Sequence, residues 1–330
     1  MSDFGELVPL APTVDQLDEI RALLDRTWPA LYGASGCPRF SRAYLDWLYG
    51  GPLRDRHLLL GHRARGRLVG FKAYLFRPLR CGGAVIRGYI ATHLTIDPAL
   101  SFAQRAALAA ALGRSHVVGD RAELSLAYFE DKRGLAQSVD RRLRSFGLVS
   151  TETAFRHAIL NPRRLRSAAA TMPVVAVRAG RCADAEGIVG RLEVDAAAGL
   201  VVQPTAQALW HHLSQAPGGR VFVVERDGRV VAALGCYVLD WLKDGRTSRL
   251  MVVELALVDE VGQLAGLLLA AANHAEASGA RGVVLENSTY LPGDLMAQVG
   301  ITPIPRVMTL ALRGRDDLPD LTRGFLCDVK

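Results

Sequence analysis

The sequence predicts an α+β protein of two tandem domains, each with a mixed, mostly antiparallel sheet flanked by helices. Three observations support this fold class. The chain has 330 residues, which is long for a single core and suits two domains of about 150 residues each. Half of the residues are hydrophobic and 22% are charged, so both domains can bury a core. A pattern of strands and turns also occurs twice along the chain.

The repeat is clearest in two predicted hairpins. Leu60–Phe71 reads LGHRARGRLVGF and Phe222–Ala233 reads FVVERDGRVVAA. Each has an apolar strand, a charged turn that ends in Gly-Arg, and a second apolar strand. The two Gly-Arg pairs lie 162 residues apart, and the strand residues Thr92 and Glu254 keep the same spacing. A period of this length indicates a duplicated domain.

Apolar periodicity and turn residues predict the elements of the first copy. Leu17, Ile20 and Leu24 recur at helical spacing, Gly50-Gly51-Pro52 ends the next helix, and Asp97-Pro98 ends a strand. The predicted order is a strand at Leu7–Leu10, helices at Thr13–Trp28 and Ser41–Tyr49, a hairpin of His57–Gly61 and Leu68–Pro78, a strand at Ile86–Ile96, a helix at Ser101–Leu112, a strand at Glu123–Phe129, a helix at Leu135–Phe146 and a strand at Thr153–Leu160.

The second copy repeats this order. Its predicted elements are a strand at Val174–Arg178, helices at Cys182–Val194 and Pro204–Gln215, a hairpin of Arg220–Glu225 and Val230–Leu239, a strand at Leu250–Val258, a helix at Gly262–Ser278, a strand at Gly282–Glu286, a helix at Leu291–Val299 and a strand at Pro305–Leu312. The predicted domains are residues 1–162 and 173–315. Residues 163–172 link them, and residues 316–330 form a polar tail.

The charge balance restricts the partners. The chain has 40 Lys and Arg against 33 Asp and Glu, a formal net charge of +7. This favours an anionic partner such as a phosphorylated cofactor, an acidic acyl carrier protein or nucleic acid. The arginines are dispersed, and solvated helix faces are the favoured interpretation even of the densest run, Arg141–Arg144. Nucleic acid is therefore not the expected partner, with tRNA left open.

Other features predict a cytoplasmic protein. The N-terminal residues MSDFGELVPL lack the basic start and apolar core of a signal peptide. No apolar run has the length and purity of a transmembrane helix, so no membrane partner is expected. The cysteines are odd in number and lack CxxC spacing, which is typical of reduced thiols and argues against a metal site. They are Cys37, Cys81, Cys182, Cys236 and Cys327.

The order strand, two helices, three antiparallel strands, helix, strand, helix, strand carries a family resemblance. Arg144–Leu148 (RSFGL) and Ala297–Ile301 (AQVGI) each close a helix with glycine and a hydrophobic residue before the last strand. On this pattern each half resembles a domain of the GNAT (Gcn5-related N-acetyltransferase) superfamily. The whole chain resembles double-GNAT proteins of the mycothiol synthase-like layout.

The resemblance implies an acyl-CoA site where the helix after the fourth strand begins. The family signature Q/R-x-x-G-x-G/A brings backbone N–H groups to the pyrophosphate at a helix N-terminus. Gln263 and Gly266 match it in the second copy, where Leu268 replaces a small residue. The alternative is that Gly262 and Gly266 are a loop glycine and a close-packing helix glycine. The predicted cofactor-binding residues are Leu257, Val258, Gly262, Gln263, Leu264, Ala265, Gly266, Leu267 and Asn287.

The first copy departs further from the signature. In Ser101–Ala106 only the last small residue is kept, and Phe102 and Gln104 are poor residues for close backbone approach. Arg105 could still pair with a phosphate through its side chain. The first copy is therefore predicted to be the degenerate one.

Two residues are predicted to be catalytic. Glu254 is the single charge in the apolar strand 251–258, and a buried carboxylate is unfavourable unless it is paired or functional. In the family the general base is often on this strand, so Glu254 is the predicted base. The alternative is a solvent-facing or ion-paired Glu. The first copy has Thr92 there, and the adjacent His93 is interpreted as a core residue.

The reaction also needs an acid that protonates the leaving thiolate. Family members often carry a Tyr four residues before the glycine of the last helix, where this chain has Leu143 and Met296. Tyr290 is the predicted substitute, with a packing or turn tyrosine as the alternative. His211 and His212 lie on a helix that often covers the acceptor pocket in the family, and a surface or half-buried position is the favoured interpretation.

The resemblance makes an acyl-CoA-dependent N-acyltransferase the leading hypothesis. It would transfer the acyl group of acetyl-CoA or another acyl-CoA to a small-molecule amine, with the donor in the C-terminal copy. One alternative is a donor carried by an acyl carrier protein or by aminoacyl-tRNA. Another is a catalytically inactive binding module, since both loops deviate from the signature. The identity of the acceptor is not readable from the sequence.

Overall fold

The computed structural model describes residues 7–33, 35–81, 83–114, 123–130, 149–194, 200–286, 293–313 and 325–326. The elements of the first half follow the predicted order. They are β1 (Leu7–Leu10), α1 (Val14–Tyr32), β2 (Cys37–Arg39), α2 (Arg42–Tyr49), a 3₁₀ helix (Gly51–Arg56), β3 (Leu58–Ala64), β4 (Arg67–Cys81), β5 (Ala84–Ile96), α3 (Phe102–Arg114), β6 (Leu124–Glu130) and β7 (Val149–Leu160). The predicted helix Leu135–Phe146 lies outside the described residues.

The second half repeats this order after one additional helix. Its elements are α4 (Pro162–Ala170), β8 (Arg178–Ala179), α5 (Asp184–Val194), β9 (Leu200–Val202), α6 (Ala206–Ser214), β10 (Arg220–Arg226), β11 (Arg229–Lys243), β12 (Arg246–Leu257), α7 (Val261–Ala277), β13 (Gly282–Glu286), α8 (Gly293–Gln298), β14 (Ile304–Arg313) and β15 (Phe325–Leu326). The segment 163–172 that was predicted as a linker forms most of α4. In the predicted tail, β15 pairs with β9.

The backbone geometry of the two hairpin turns repeats at the 162-residue spacing. The β3–β4 turn has positive φ at Arg65 and Gly66, and the β10–β11 turn has positive φ at Asp227 and Gly228. Two successive residues with positive φ are typical of tight hairpin turns that match the twist of their strands. The two hairpins therefore have matching geometry, as their sequences predict.

The strands of the two halves form one sheet. Its order is β1-β3-β4-β5-β6-β14-β7-β13-β12-β11-β10-β8, with parallel pairs at β5–β6 and β12–β13. The last strands are exchanged: β14 of the second half lies beside β6 of the first, and β7 of the first lies beside β13 of the second. The sheet is mixed and mostly antiparallel, as predicted.

A second exchange joins the halves on the helical side. β2 of the first half pairs with β11 at Asp240–Leu242, and β9 of the second half pairs with β4 at Leu79–Cys81. Each half therefore contributes a short strand to the longest hairpin of the other half.

Buried side chains form separate cores on the two faces of the sheet. In the second half, α4 and α7 pack on one face of β10–β13, while α5 and α6 pack on the other face. A third core packs α1 and α2 against the first half, and it also includes Tyr237 and Val252 of the second half. α2 is therefore packed between the two halves.

The exchange predicts that neither half folds alone. A fragment of residues 1–172 lacks β14, so β6 and β7 lose a hydrogen-bonded neighbour and expose unpaired backbone edges. We expect neither this fragment nor residues 173–330 to unfold cooperatively in urea when followed by circular dichroism. We expect their mixture to recover the single transition of the intact chain. Cooperative unfolding of both separate fragments near the wild-type midpoint would contradict the interdependence.

Candidate active site

The sheet opens at one place in each half. β5 and β6 are paired as far as Ala91 and Ala127, and β12 and β13 as far as Val253 and Leu285. Beyond these pairs the ladders end, although β5 and β12 each continue. Ala91 and Val253 are 162 residues apart, so the two openings occupy equivalent positions. Each opening is a gap between two parallel strands beyond the end of their ladder. We call its apex the residue of β5 or β12 that follows the last paired residue.

Glu254 lies at the apex of the second opening. The β11–β12 register shifts there, because Gly235 pairs with Leu255 whereas Cys236 pairs with Val253. Glu254 is therefore the extra residue of a β-bulge, a feature that often redirects a side chain beside an active site. Its side chain is 8% exposed, and its Oε1 lies 3.2 Å from Nε2 of His212. The structure thus pairs the predicted base with a histidine.

His212 reaches Glu254 from α6. This helix begins at Thr205, whose side chain accepts a hydrogen bond from the N–H of Ala208. Trp47 of α2 stacks on the His212 ring, with 5.0 Å between ring centroids, and its indole N–H donates to the His212 carbonyl. The His212 side chain is 17% exposed, so it is held firmly while it still reaches solvent.

A similar pair lies one residue beyond the first apex, which is Thr92. The β4–β5 register shifts between Phe71 and Ala73, and His93 in the bulge has a φ of +54°. Burial, and then Tyr44, raise the pKa of Tyr49 well above its ordinary value. Its phenol therefore keeps its proton, and it is hydrogen-bonded to Nδ1 of His93.

His93 is a buried core residue. It is 4% exposed and packs against the rings of Trp28 and Phe40. The prediction that it belongs to the core is confirmed. The backbone there is bulged, so the alternation of side chains in a regular strand does not apply to His93.

A cleft separates the two halves beside His212. It encloses about 540 Å³, solvent included. Its walls come from the end of α2, the 3₁₀ helix, the end of β4, β9 and α6. The lining residues are Trp47, Leu48, Gly50, Pro52, Leu53, His57, Arg77, Pro78, Val202, Pro204, Ala208, Leu209, His211 and His212.

His57 is kept neutral in this cleft. The N–H of Phe76 donates to its Nδ1 at 3.1 Å, so the neutral ring carries its proton on Nε2. Burial, and then the charge of Arg77 and the neighbouring His212 and His211, lower the pKa of His57 to about 3. The cleft therefore has an electrostatic environment that disfavours added positive charge.

The predicted cofactor loop is packed inside the second half. Gln263 is 2% exposed, and its side-chain oxygen accepts the N–H groups of Asp259 and Glu260. The Glu260 side chain accepts the N–H of Gln263 in return, which completes a capping box. Asp259 is paired with Arg191. Helix α7 therefore begins with engaged N–H groups and two acidic side chains.

The two glycines of this loop leave room for the backbone of a neighbouring segment. A Cβ on Gly262 would lie 2.9 Å from the carbonyl oxygen of Pro173, and one on Gly266 would lie 2.8 Å from that of Val175. Both glycines thus serve close packing of the segment 173–177 against α7. The other predicted residues of the region, Leu257, Val258, Leu264, Ala265 and Leu267, are also buried. Their cofactor role stays a prediction.

The equivalent helix of the first half begins at the surface. Phe102 is 80% exposed, and Arg105 in the first turn is also exposed. The first turn of α3 contains no acidic residue. Leu94, on the strand that leads to it, is 46% exposed. The N–H of Ser101 donates to the side-chain oxygen of Gln104, and the N–H of Gln104 donates to the Ser101 hydroxyl, so this start is capped like that of α7. Among the described residues the two starts differ in exposure and in charge.

Asp97 anchors the turn before α3. Burial opposes its ionisation, but the N–H of Ala99 and the side chains of Arg67 and Arg26 hold its pKa below the usual value. The carboxylate is 2% exposed, so these partners neutralise it. The turn therefore has a fixed shape.

The structure brings some predicted residues together and leaves others outside its range. Glu254 lies beside His212 and the cleft, whereas Tyr290 and Asn287 lie outside the described residues. His57, Arg77 and Trp47 were missed as site residues. The spacing could have indicated α6, because His211 lies 162 residues after Tyr49, which bonds the bulge of the first half.

The fold and the paired openings are those of a two-domain GNAT-fold protein. The chain is similar to Saccharomyces cerevisiae N-myristoyltransferase with bound myristoyl-CoA, at a TM-score of 0.67 and 13% identity, over 98% of this chain and 88% of that one. A second structure of that enzyme, with myristoyl-CoA and inhibitors, gives 0.67 and 12%, over 98% and 85%. No protein-family model matches the sequence, and a comparison with curated proteins also finds no match.

A third similar structure comes from Enterococcus faecalis. It is a conserved protein of unknown function described as a probable N-acyltransferase, at a TM-score of 0.54 and 11% identity, over 93% of this chain and 72% of that one. At these identities the similarity shows the fold, and it confirms the predicted GNAT fold with its two-domain layout. Within the described ranges we find no helix with the length and apolar character needed to cross a membrane.

The neutral state of His57 predicts a pH effect on stability. The folded chain protonates His57 only near pH 3, whereas the unfolded chain does so near 6.5. Between these values the unfolded chain binds more protons, so the free energy of unfolding falls as pH falls, by at most about 1.4 kcal/mol per pH unit from this residue. Replacing His57→Gln should flatten this dependence in urea unfolding measured across the same pH range.

The matched control is His274→Gln, which removes a half-buried histidine of α7 whose ring is bonded to the carbonyl of Gly218. Equal flattening by the two variants would contradict the assignment to His57.

Proposed function

We propose that the protein transfers an acyl group from an acyl-CoA to the nitrogen of a small amine. The single observation that carries this proposal is the Glu254–His212 pair, held at the apex of a sheet opening and beside the cleft between the halves. The shared fold supports the same reaction class, because the similar structures include an N-acyltransferase that contains bound myristoyl-CoA. An acyl-CoA donor follows from that similarity and from the net charge of +7.

The pair supplies the base that this reaction needs. An amine that is protonated at neutral pH must lose a proton before its nitrogen attacks the thioester carbonyl. The C–N bond then forms, the C–S bond breaks, and CoA leaves as a thiol. We assign the proton to His212 and the stabilisation of its imidazolium to Glu254, so Glu254 acts through the histidine. Tyr290 stays the predicted donor of the proton to the leaving thiolate.

Two helix starts compete for the pyrophosphate of CoA. The sequence predicts residues 262–267 at the start of α7, where the carboxylates of Asp259 and Glu260 oppose an anion. The exposed start of α3 with Arg105 offers the more favourable site. We therefore propose that the donor enters the first opening. Helix α2 contacts both apices, through Tyr49 and Trp47, and so adjoins the donor and the cleft.

Substitution of either member of the Glu254–His212 pair tests the reaction. Glu254→Gln keeps the shape of the side chain but loses its charge, and we expect kcat to fall about 10²- to 10⁴-fold. His212→Gln should cause a similar loss, and the double variant little more, because the pair acts as a unit. Release of free CoA thiol from acetyl-CoA and myristoyl-CoA, with a panel of primary amines, measures the rate.

Asp240→Asn is the matched control, because it removes one carboxylate on the neighbouring strand β11. We expect it to retain wild-type activity. Full turnover by Glu254→Gln in a protein with wild-type thermal unfolding would overturn the role assigned to the Glu254–His212 pair.

A charge reversal locates the donor. Arg105→Glu places a carboxylate at the start of α3 and should weaken binding of acetyl-CoA or myristoyl-CoA at least about tenfold in calorimetry. Arg229→Glu makes the same charge change at the exposed turn of the second hairpin and should leave the affinity unchanged. Unchanged affinity in Arg105→Glu would return the donor to residues 262–267.

The same titrations separate the alternative functions. In one outcome, the protein binds an acyl carrier protein or an aminoacyl-tRNA in a salt-sensitive way and binds no CoA thioester. That result would favour those two donors. Binding of CoA without thiol release for any amine would favour an inactive binding module.

A further inference from the structure

His57 offers a hydrogen-bond donor to the cleft between the halves. Its Nδ1 accepts the N–H of Phe76, so the proton of the neutral ring is on Nε2. His57 lines the cleft, and its Nε2 has no hydrogen-bond partner among the described residues. The ring is therefore held by the backbone on one side and presents an available N–H on the other.

Two other ring donors of the cleft are engaged with the backbone. The indole N–H of Trp47 donates to the carbonyl of His212. Nε2 of His211 lies 3.4 Å from the carbonyl oxygen of Trp47, and a carbonyl oxygen can only accept. The Nε2–H of His57 differs from both, because it is available to a ligand.

The His57 ring stays neutral at the pH where an amine is a substrate. Burial, and then the charge of Arg77, lower the pKa of His57 to about 3. A neutral imidazole can polarise a carbonyl by donating a hydrogen bond, without transferring its proton. His57 is therefore suited to bind an oxygen on which negative charge develops, and it is unsuited to act as a general acid or base.

The position of His57 adjoins both the first opening and the proposed base. His57 precedes Leu58, which pairs with Tyr74. Tyr74 in turn pairs with Ala91, the last paired residue before the first opening. Two strand spacings, about 10 Å, therefore separate β3 from the strand that borders this opening. On the other side, His212 contributes to the lowered pKa of His57, so the two rings lie close enough to interact.

We propose that the Nε2–H of His57 binds the thioester oxygen during acyl transfer. When the amine nitrogen attacks, the C–N bond forms and an electron pair of the C=O bond moves to the oxygen, which becomes an oxyanion. His57 donates a hydrogen bond to this oxyanion and keeps its own proton. The electron pair then re-forms the C=O bond as the C–S bond breaks. His57 is thus assigned as a catalytic residue, and this inference rests on the proposed function.

Substitution of His57 tests this role in the steady state. His57→Leu removes the donor, and we expect kcat and kcat/KM to fall together by about 10²- to 10³-fold, as when one oxyanion donor is lost. His57→Gln keeps an amide N–H and should recover part of this loss. The loss in His57→Leu should be the same across neutral pH, because a neutral donor does not titrate there.

His274→Leu is the matched control. It removes a histidine of α7 that lies outside the cleft and is bonded to the carbonyl of Gly218, and we expect it to retain the wild-type kcat. A wild-type kcat in His57→Leu would overturn the inference. A higher KM for the amine at unchanged kcat would also overturn it, because His57 would then bind the acceptor rather than the thioester oxygen.

A pair of CoA derivatives separates this inference from the transfer reaction. Acetyl-CoA carries the carbonyl, whereas S-ethyl-CoA has a methylene in its place. We expect both to bind in calorimetry, and only acetyl-CoA to move the Nε2–H signal of His57 downfield in proton–nitrogen NMR. The absence of this signal from His57→Leu assigns it.

The outcomes of this comparison are distinct. Binding of both compounds with the same His57 signal would overturn the inference and leave the proposed function intact. Absence of binding by both compounds would overturn the proposed donor, and this inference with it.

Discussion

Backbone pairing between the two halves is the constraint on which the rest of the structure depends. β14 separates β6 from β7, and β7 separates β14 from β13, so the sheet is continuous only when both halves are present. The short strands β2 and β9 repeat this exchange on the helical side. Together these ladders fix α2 of the first half against β11 and β12 of the second. The cleft exists because α2 and α6 are held on opposite sides of this junction.

Two departures from regular strand geometry position the residues of the candidate site. In each half the fourth strand separates from its parallel neighbour at the same point of the repeat, and a bulge lies beside that point. In the first half the bulge presents His93 to Tyr49, within an aromatic core. In the second half it presents Glu254 to His212 at the edge of the cleft. The repeated framework thus has a buried pair beside the first apex and a solvent-reaching pair at the second. The two pairs are offset by one residue in the repeat, because Thr92 is the counterpart of Glu254.

Much of this could be predicted from the sequence. Gly66 and Gly228 gave the repeat, because hairpin turns require positive φ at fixed positions, and Glu254 stood out as a charge in an apolar strand. The strand exchange was not predictable, because apolar periodicity indicates that a strand is buried but not which strand it pairs with. The glycines of residues 262–267 fit a phosphate loop and a packing contact equally well, and only the position of Pro173–Val177 distinguishes them. Arg77 gave no signal, since its burial depends on residues from both halves.

The central claim is that the amine is activated at the Glu254–His212 pair inside the cleft between the halves. The most direct test is a crystal structure of the protein with a non-hydrolysable acyl-CoA thioether and an amine acceptor. We predict the amine nitrogen within hydrogen-bonding distance of the His212 imidazole, with the acyl carbon at its side. An acceptor bound outside the cleft, with His212 and Glu254 remote from both ligands, would contradict the account.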